Sequence, residues 1–477
     1  MQQHDVRTGR REPAGGLGTG GPGAFHEPGD HGHGRSASED VGAVHDGTRD
    51  RRTAGGGVSG TGSTVRRVAF RSSFSVIRHK PFRLFVLARI ISMSGSAMAP
   101  VALAFAVLGF DDRPNSLAIV LACNTVPQLV MMLVGGVIAD RLSRRRVIVV
   151  GNLVSACTQA AVALLVALGA ADVTRVAGFA VLAGGASALA QPAMNSLLPH
   201  LVEAGEVQEA NALMRLPVNA VKIVAPALGG LLVALVGPEW TLAWDAASFA
   251  IAAVLVSRIG ISVREKRTSS VLRDFKEGWA AFSGRFWLWS YVASGTVVVA
   301  LWLGGYQLLG PVLAQDRHLG AVAWGTVQGA FAVGLFAGGF VSLKWKPSRI
   351  MVACVCANLP SALPLLALAV RAPLVVVAAG AVLAGIGLDI AIVCWHTALQ
   401  EQLPSEVLGR VNSLSSTGEL MAVPLGYLVV GATASALGPT SVLLASAAVM
   451  TLATLVLLAA PSVWAIRRRG PVEAASS

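Results

Sequence analysis

Twelve stretches of about 20 or more predominantly apolar residues follow one another through this chain, and that succession limits its fold more than any other feature. A helix needs about 20 such residues to cross a hydrocarbon core of roughly 30 Å. The stretches cover approximately 83–108, 116–139, 147–169, 175–199, 211–236 and 240–259, then 286–314, 320–343, 350–370, 373–398, 410–436 and 440–464. Strands crossing a bilayer would need only about 9–11 residues of alternating polarity, so helices are expected. Composition agrees, with 54 % hydrophobic and 13 % charged residues, where soluble domains carry about 25 % charged. The expected fold class is an all-α membrane protein of twelve transmembrane helices.

The formal charge of +12 is arranged as a topology signal. Of the 38 Lys and Arg, 25 fall in links that twelve spans place on the side of the N-terminus. Four, Arg113, Arg175, Arg317 and Arg371, fall on the other side. Cytoplasmic links are enriched in Lys and Arg, so a plasma-membrane protein with both termini cytoplasmic is expected. The cations then face lipid headgroups, and nucleic acid is not an expected partner. All five cysteines, Cys123, Cys157, Cys354, Cys356 and Cys394, fall inside expected spans. Neither a disulfide framework nor a metal site is expected of them.

Two breaks in composition divide the chain. Residues 1–65, rich in Gly, Arg, Asp, His and Ser, cannot bury enough apolar surface to offset their ordering entropy. They read as a disordered tail, or as a start assigned too far upstream. The basic stretch 260–285 separates two sets of six spans and reads as a cytoplasmic connector, its aromatics at 279 and 282 spaced as on an interfacial helix. The expected organisation is a bundle over 66–259, the connector 260–285, a bundle over 286–465 and a cytoplasmic tail over 466–477. The basic stretch Arg78–Arg83 is expected to lie along the inner membrane surface.

Between the second and third spans stand Gly136, Asp140, Arg141 and Arg144–Arg146. A degraded copy, Gly339, Lys344, Lys346 and Arg349, follows 203 residues later. Asn211 and Asn412 repeat at an offset of 201, and Pro226 and Pro424 at 198. The Gly–Asp–Arg pattern resembles the loop signature between helices 2 and 3 of the major facilitator superfamily of transporters. That resemblance implies two pseudo-symmetric six-helix bundles of parallel repeats around a central cavity. It also implies a gating role for Gly136, Asp140, Arg141 and Arg144, with Asp140 capping the start of the eleventh helix. Ser143 stands where the family usually has Gly. Ala225, Pro226, Gly229 and Gly230 resemble the antiporter motif of the superfamily, with Ala225 in place of its first Gly. Residues 192–199, 210–213, 244–249 and 402–414 are similar to the branch that includes enterobactin and macrolide exporters.

Charges inside apolar spans are costly and usually face a cavity or a partner. Arg89, Lys222, Asp389 and Glu419 all fall about 12–16 Å in from the expected cytoplasmic ends of their helices, at 1.5 Å per residue. Two cations in the first half and two acids in the second would suit contact across the cavity. One acid would exchange a proton, with His396 two turns from Asp389 as a relay. Asp245 lies near the outer end of its span, where an interfacial or structural role is expected.

The expected function is secondary, proton-coupled export of a small hydrophobic or amphiphilic compound by a monomer, with protons and membrane lipids as its other partners. A nutrient importer or facilitator of the same fold is the alternative within the class. A receptor or a polytopic membrane enzyme is the alternative outside it. No phosphate-binding loop of the ATPase type occurs, so no cofactor is expected.

Overall fold

In the computed structural model, residues 76–139, 143–260 and 282–468 are described. All belong to the second of the two units into which the chain divides, Gly62–Ser477. The expected tail at 1–65 and most of the connector 260–285 lie outside the described residues.

Helices account for nearly all of what is described. The amino-terminal set comprises α1 (Lys80–Phe110), α2 (Pro114–Ala139), α3 (Arg144–Ala167), α4 (Val173–Leu197), α5 (Val207–Val236) and α6 (Pro238–Ser257). The carboxy-terminal set comprises α7 (Phe286–Asp316), α8 (Gly320–Lys344), α9 (Ile350–Ala369), α10 (Leu374–Gln402), α11 (Ser405–Leu437) and α12 (Pro439–Leu458). A five-residue helix, α13 (Pro461–Ala465), follows. Among the described residues, eleven helices are long and apolar enough to cross a membrane; α2, at 26 residues, completes the twelve.

Several helices outrun their apolar stretches. The 33 residues of α11 span about 50 Å at 1.5 Å per residue, well beyond the hydrocarbon thickness. Its first turns therefore carry polar residues, which hydropathy cannot assign to a span. The last expected span, 440–464, is two elements instead. Proline cannot donate a backbone hydrogen bond and disfavours helix in the residue before it, so Pro461 ends one helix and opens another after extended Ala460. The Arg78–Arg83 stretch is likewise not a separate surface helix: one 3₁₀ turn at Val76–Arg78 leads directly into α1 at Lys80.

The internal repeat is written into the turns. Gly237 (φ 97°) joins α5 to α6 and Gly438 (φ 83°) joins α11 to α12. Each is followed by the proline that opens the next helix. The two glycines are 201 residues apart, the offset already seen for Asn211 and Asn412. Only glycine adopts these backbone angles readily, and proline suits a first helical turn.

Packing shows how the bundles meet. Within the first, α6 lies against α1 and α3; within the second, α8 lies against α10. Between them, α5 packs on α8 and α2 on α11. At the end carrying the α1–α2, α7–α8 and α9–α10 links, one apolar core takes residues from all twelve helices, among them Val107, Leu117, Leu242, Tyr306, Trp324 and Val430. At the opposite end each bundle has a core of its own, built around Phe82, Phe85 and Ile148 in the first and Trp287, Ile350 and Leu399 in the second. The bundles are thus joined at one end and separate at the other.

Candidate functional site

Glycines make the joined end close. A Cβ added at Gly230 of α5 would stand 2.9 Å from Gly325 Cα of α8 and collide with the Ala321 carbonyl. A Cβ at Gly431 of α11 would collide with that of Ala118 on α2. Gly230 and Gly431 are 201 residues apart, and Ala118 and Ala321 are 203 apart. The two seams are therefore the same contact made twice by repeat-related residues. Small residues let helix backbones approach this closely in a membrane. The antiporter-like motif lies in the first seam: the Pro226 carbonyl borders Gly325, and a Cβ added at Gly229 would stand 2.9 Å from Met98 Cβ of α1. Neither Gly325 nor Gly431 was among the expected site residues, although adding the repeat offset to Gly230 points to Gly431.

Beneath the joined end, the carboxy-terminal bundle encloses a cavity of about 240 Å³. Its aromatic walls include Tyr291, Trp302, Phe331 and Trp395; its polar groups include Asn358, His396, Asn412 and Glu419. Tyr291 stacks on Trp395 at 4.5 Å and accepts a hydrogen bond from Asn358 Nδ2 at 3.3 Å. Two interruptions of regular helix border this space. Residues Leu303–Leu308 of α7 form a π-helical turn, and Leu359–Ser361 of α9, with Pro360, form a 3₁₀ turn. Trp302 stacks on Tyr306 at 4.4 Å, and Tyr306 also meets Trp324 and Phe331. This aromatic group forms the roof between the cavity and the shared core.

The span charges are distributed differently from expectation. Glu419 and His396 both line the cavity. Asp389 instead turns toward α8, where a Cβ on Gly338 would lie 2.8 Å from its own Cβ, and its Oδ2 is buried without a hydrogen-bond partner. Arg89 donates to Gln191 of α4 at 3.2 Å, and Lys222 is exposed on α5. The cations and acids of the two halves therefore do not pair in this conformation. Both acids also lie deeper than expected, each about 20 Å from its helix end, because α10 and α11 extend past their apolar stretches. Arg144 donates to the Ser196 carbonyl at 3.0 Å and lies 2.8 Å from His200, tying α3 to the end of α4. Gly136 falls near the end of α2; Asp140 and Arg141 lie outside the described residues.

At the joined end, the four scattered arginines are all engaged locally. Arg113 pairs with Asp111 at 2.9 Å, Arg175 with Asp172 at 3.1 Å and Arg371 with Asp316 at 3.7 Å. Arg317 donates to the carbonyls of Arg371 and Ala372. The hydrogen bonds of the Arg113 guanidinium, with help from Ser116, hold the Asp111 carboxyl well below the usual carboxylate range.

Asp245, expected in an interfacial or structural role, is deeply buried. It is 1 % exposed, sealed inside the amino-terminal bundle against Gly95 of α1 and Gln159 of α3, and not at an interface.

Comparison with known proteins agrees with this architecture. Residues 71–465 match the profile of the family described as transmembrane secretion effector. The chain is 28 % identical over 372 residues to the multidrug efflux pump Tap of Mycolicibacterium fortuitum, covering 75 % of this chain and 90 % of that protein. It is 24 % identical over 388 residues to the enterobactin exporter EntS of Citrobacter koseri, covering 79 % and 91 % respectively. Among solved structures, a bacterial homologue of the iron transporter ferroportin in an inward-facing state superposes with a TM-score of 0.64 at 18 % identity, covering 80 % of this chain and 98 % of the other.

Proposed function

This chain belongs to the transmembrane secretion effector family of the major facilitator superfamily, and from that membership we propose that it is a proton-coupled exporter of a small hydrophobic or amphiphilic compound. It works by alternating access, and the conformation described above is its inward-facing state. The observation that carries this reading is the pair of repeat-related glycine seams, joined at one end, above a cavity whose roof is aromatic and whose acid is Glu419. A substrate enters from the separated end, settles among Tyr291, Trp302, Trp395 and Phe331, and leaves when the seams part. The aromatic walls suit flat or apolar compounds, with few polar groups to impose one shape.

The joined end is extracytoplasmic and both termini are cytoplasmic. The cation distribution supports this, and so does the local neutralisation of Arg113, Arg175 and Arg371, since a neutralised cation offers little resistance to translocation. Glu419 contacts substrate, and Asp389 answers to the proton. Multidrug efflux by Tap and enterobactin export by EntS support export over uptake here. The test is a drug and metabolite sensitivity profile of cells lacking and overproducing the protein, followed by transport into inverted vesicles. Accumulation of the compound in inverted vesicles on addition of a proton gradient is expected. Accumulation in whole cells and none in inverted vesicles would make the protein an importer.

A further inference from the structure

Asp245 has the surroundings of a functional carboxyl that the cavity does not use. One oxygen, Oδ2, accepts a hydrogen bond from Gln159 Nε2 on α3. The other, Oδ1, is buried with no partner. Ser248 Oγ donates to the Asp245 backbone carbonyl at 2.7 Å, which leaves its own lone pairs available. Asp245 Oδ1 and Ser248 Oγ both crowd the point where a Cβ on Gly95 would stand, Oδ1 at 2.6 Å from it. The side chain is thus clamped between α1, α3 and α6.

Among the described residues no cation pairs with it. On α1, Arg89 lies about 9 Å away along the helix from Gly95 and is directed to Gln191; Lys80 and Arg83 lie farther toward the helix start. On α3, Arg144 to Arg146 are some 20 Å along the helix from Gln159, and Cys157 turns outward, exposed. On α5, Glu209, Arg215 and Lys222 make no contact with it among the described residues. Glu239, on α6 itself, stands almost two turns away. A charged carboxylate without a cation or a full set of donors is expensive to bury. An added proton removes that charge.

We propose that Asp245 is a proton-binding site of the amino-terminal bundle, whose occupancy controls whether the seam between α5 and α8 stays shut. The link runs through α1. Gly95 rests on Asp245, and Met98, three residues on, rests on Gly229 of the antiporter-like motif; Gly230 in turn closes on Gly325. With the proton bound, α1 lies tight on α6 and the seam is closed. Loss of the proton leaves a bare carboxylate against Gly95, drives α1 away to admit water, and frees Gly229 and Gly230 to separate from their partners. The atoms balance simply: the carboxylic O–H breaks, its proton passes to water, and the electron pair stays on Asp245.

The test uses the full-length protein in lipid nanodiscs, with infrared difference spectra recorded across a pH titration and aspartate labelled with ¹³C. A carboxylic-acid C=O band is expected that shifts with the label, vanishes in Asp245→Asn and persists in Asp389→Asn. Loss of the band in Asp389→Asn alone, or its displacement by sodium at fixed pH, would overturn the proposal. Should Asp245→Asn fail to accumulate, Gln159→Leu serves in its place, because removing the donor on Oδ2 must move the band and its titration midpoint; an unmoved band is equally fatal. The conformational half is read from a disulfide between Ala227→Cys and Gly329→Cys, whose Cβ positions lie 3.2 Å apart across the seam, in a background without the native cysteines. Cross-linking should fall several-fold as pH rises through the titration of the band. In Asp245→Asn it should be independent of pH, and a pH response there would break the link to the seam. Neither the substrate nor the direction of transport enters these outcomes.

Discussion

Asp389 and Glu419 occupy similar depths in two apolar helices, and residue type and depth alone give no reason to treat them differently. Their neighbours do. Glu419 shares the aromatic cavity with His396, whereas Asp389 is held against the small-residue surface of Gly338 and Gly339 on α8. Glu419→Gln is therefore expected to weaken substrate binding at least ten-fold, measured by tryptophan quenching with Trp302 and Trp395 as reporters. Asp389→Asn is expected to bind normally and to retain downhill exchange, while losing gradient-driven accumulation in energised vesicles. If Asp389→Asn keeps full proton-driven export, its role is packing against α8. Tyr291, Trp395 and Asn358 could not be singled out beforehand, because an aromatic or amide in an apolar stretch is ordinary until the fold turns several toward one space.

At the scale of elements, the seams are where small changes should have large effects. Overpacking a close contact costs typically about 1–3 kcal/mol, and each 1.4 kcal/mol is a factor of ten in a population. Gly230→Ala and Gly431→Ala add one methyl group each to the closed seams. Each should move the equilibrium toward a form open at the joined end by about five-fold to a hundred-fold, seen as faster labelling of a cysteine introduced at Ala118 by an impermeant thiol reagent. Gly409→Ala, a glycine with nothing within 4 Å of its Cβ position, should leave labelling unchanged. Equal labelling in all three variants would mean that these glycines do not set the gate. The antiporter-like motif was legible as a Pro–Gly–Gly run. Its partners were not, since nothing local to Gly325 or Ala118 says which helix lies opposite.

For the whole molecule, the membrane orientation is the property on which the direction of transport depends. Cysteines introduced beside Arg113, Arg175, Arg317 and Arg371 are expected to react with an impermeant reagent from outside intact cells. Those placed at 141–146, 260–285 or the C-terminus should react only after permeabilisation. Labelling of the connector in intact cells would invert the topology and, with it, the assignment of the separated end to the cytoplasm.

Helix number, the division into two halves and the transporter class could all be read along the chain. The reason is that a bilayer demands about 20 apolar residues for each crossing, and a duplicated bundle repeats its glycines and prolines at a constant offset. Only the tertiary structure decided which residues face one another. It placed Gly230 on Gly325 and Gly431 on Ala118, separated Asp389 from Glu419, and buried Asp245 beside Gly95. Lipid is as apolar as the bundle interior, so hydropathy does not distinguish a membrane-facing position from a packed one. Which face of each helix meets another is set by shape and by the few polar groups that must find partners, and those partners can be far apart in the chain, 313 residues for Ala118 and Gly431.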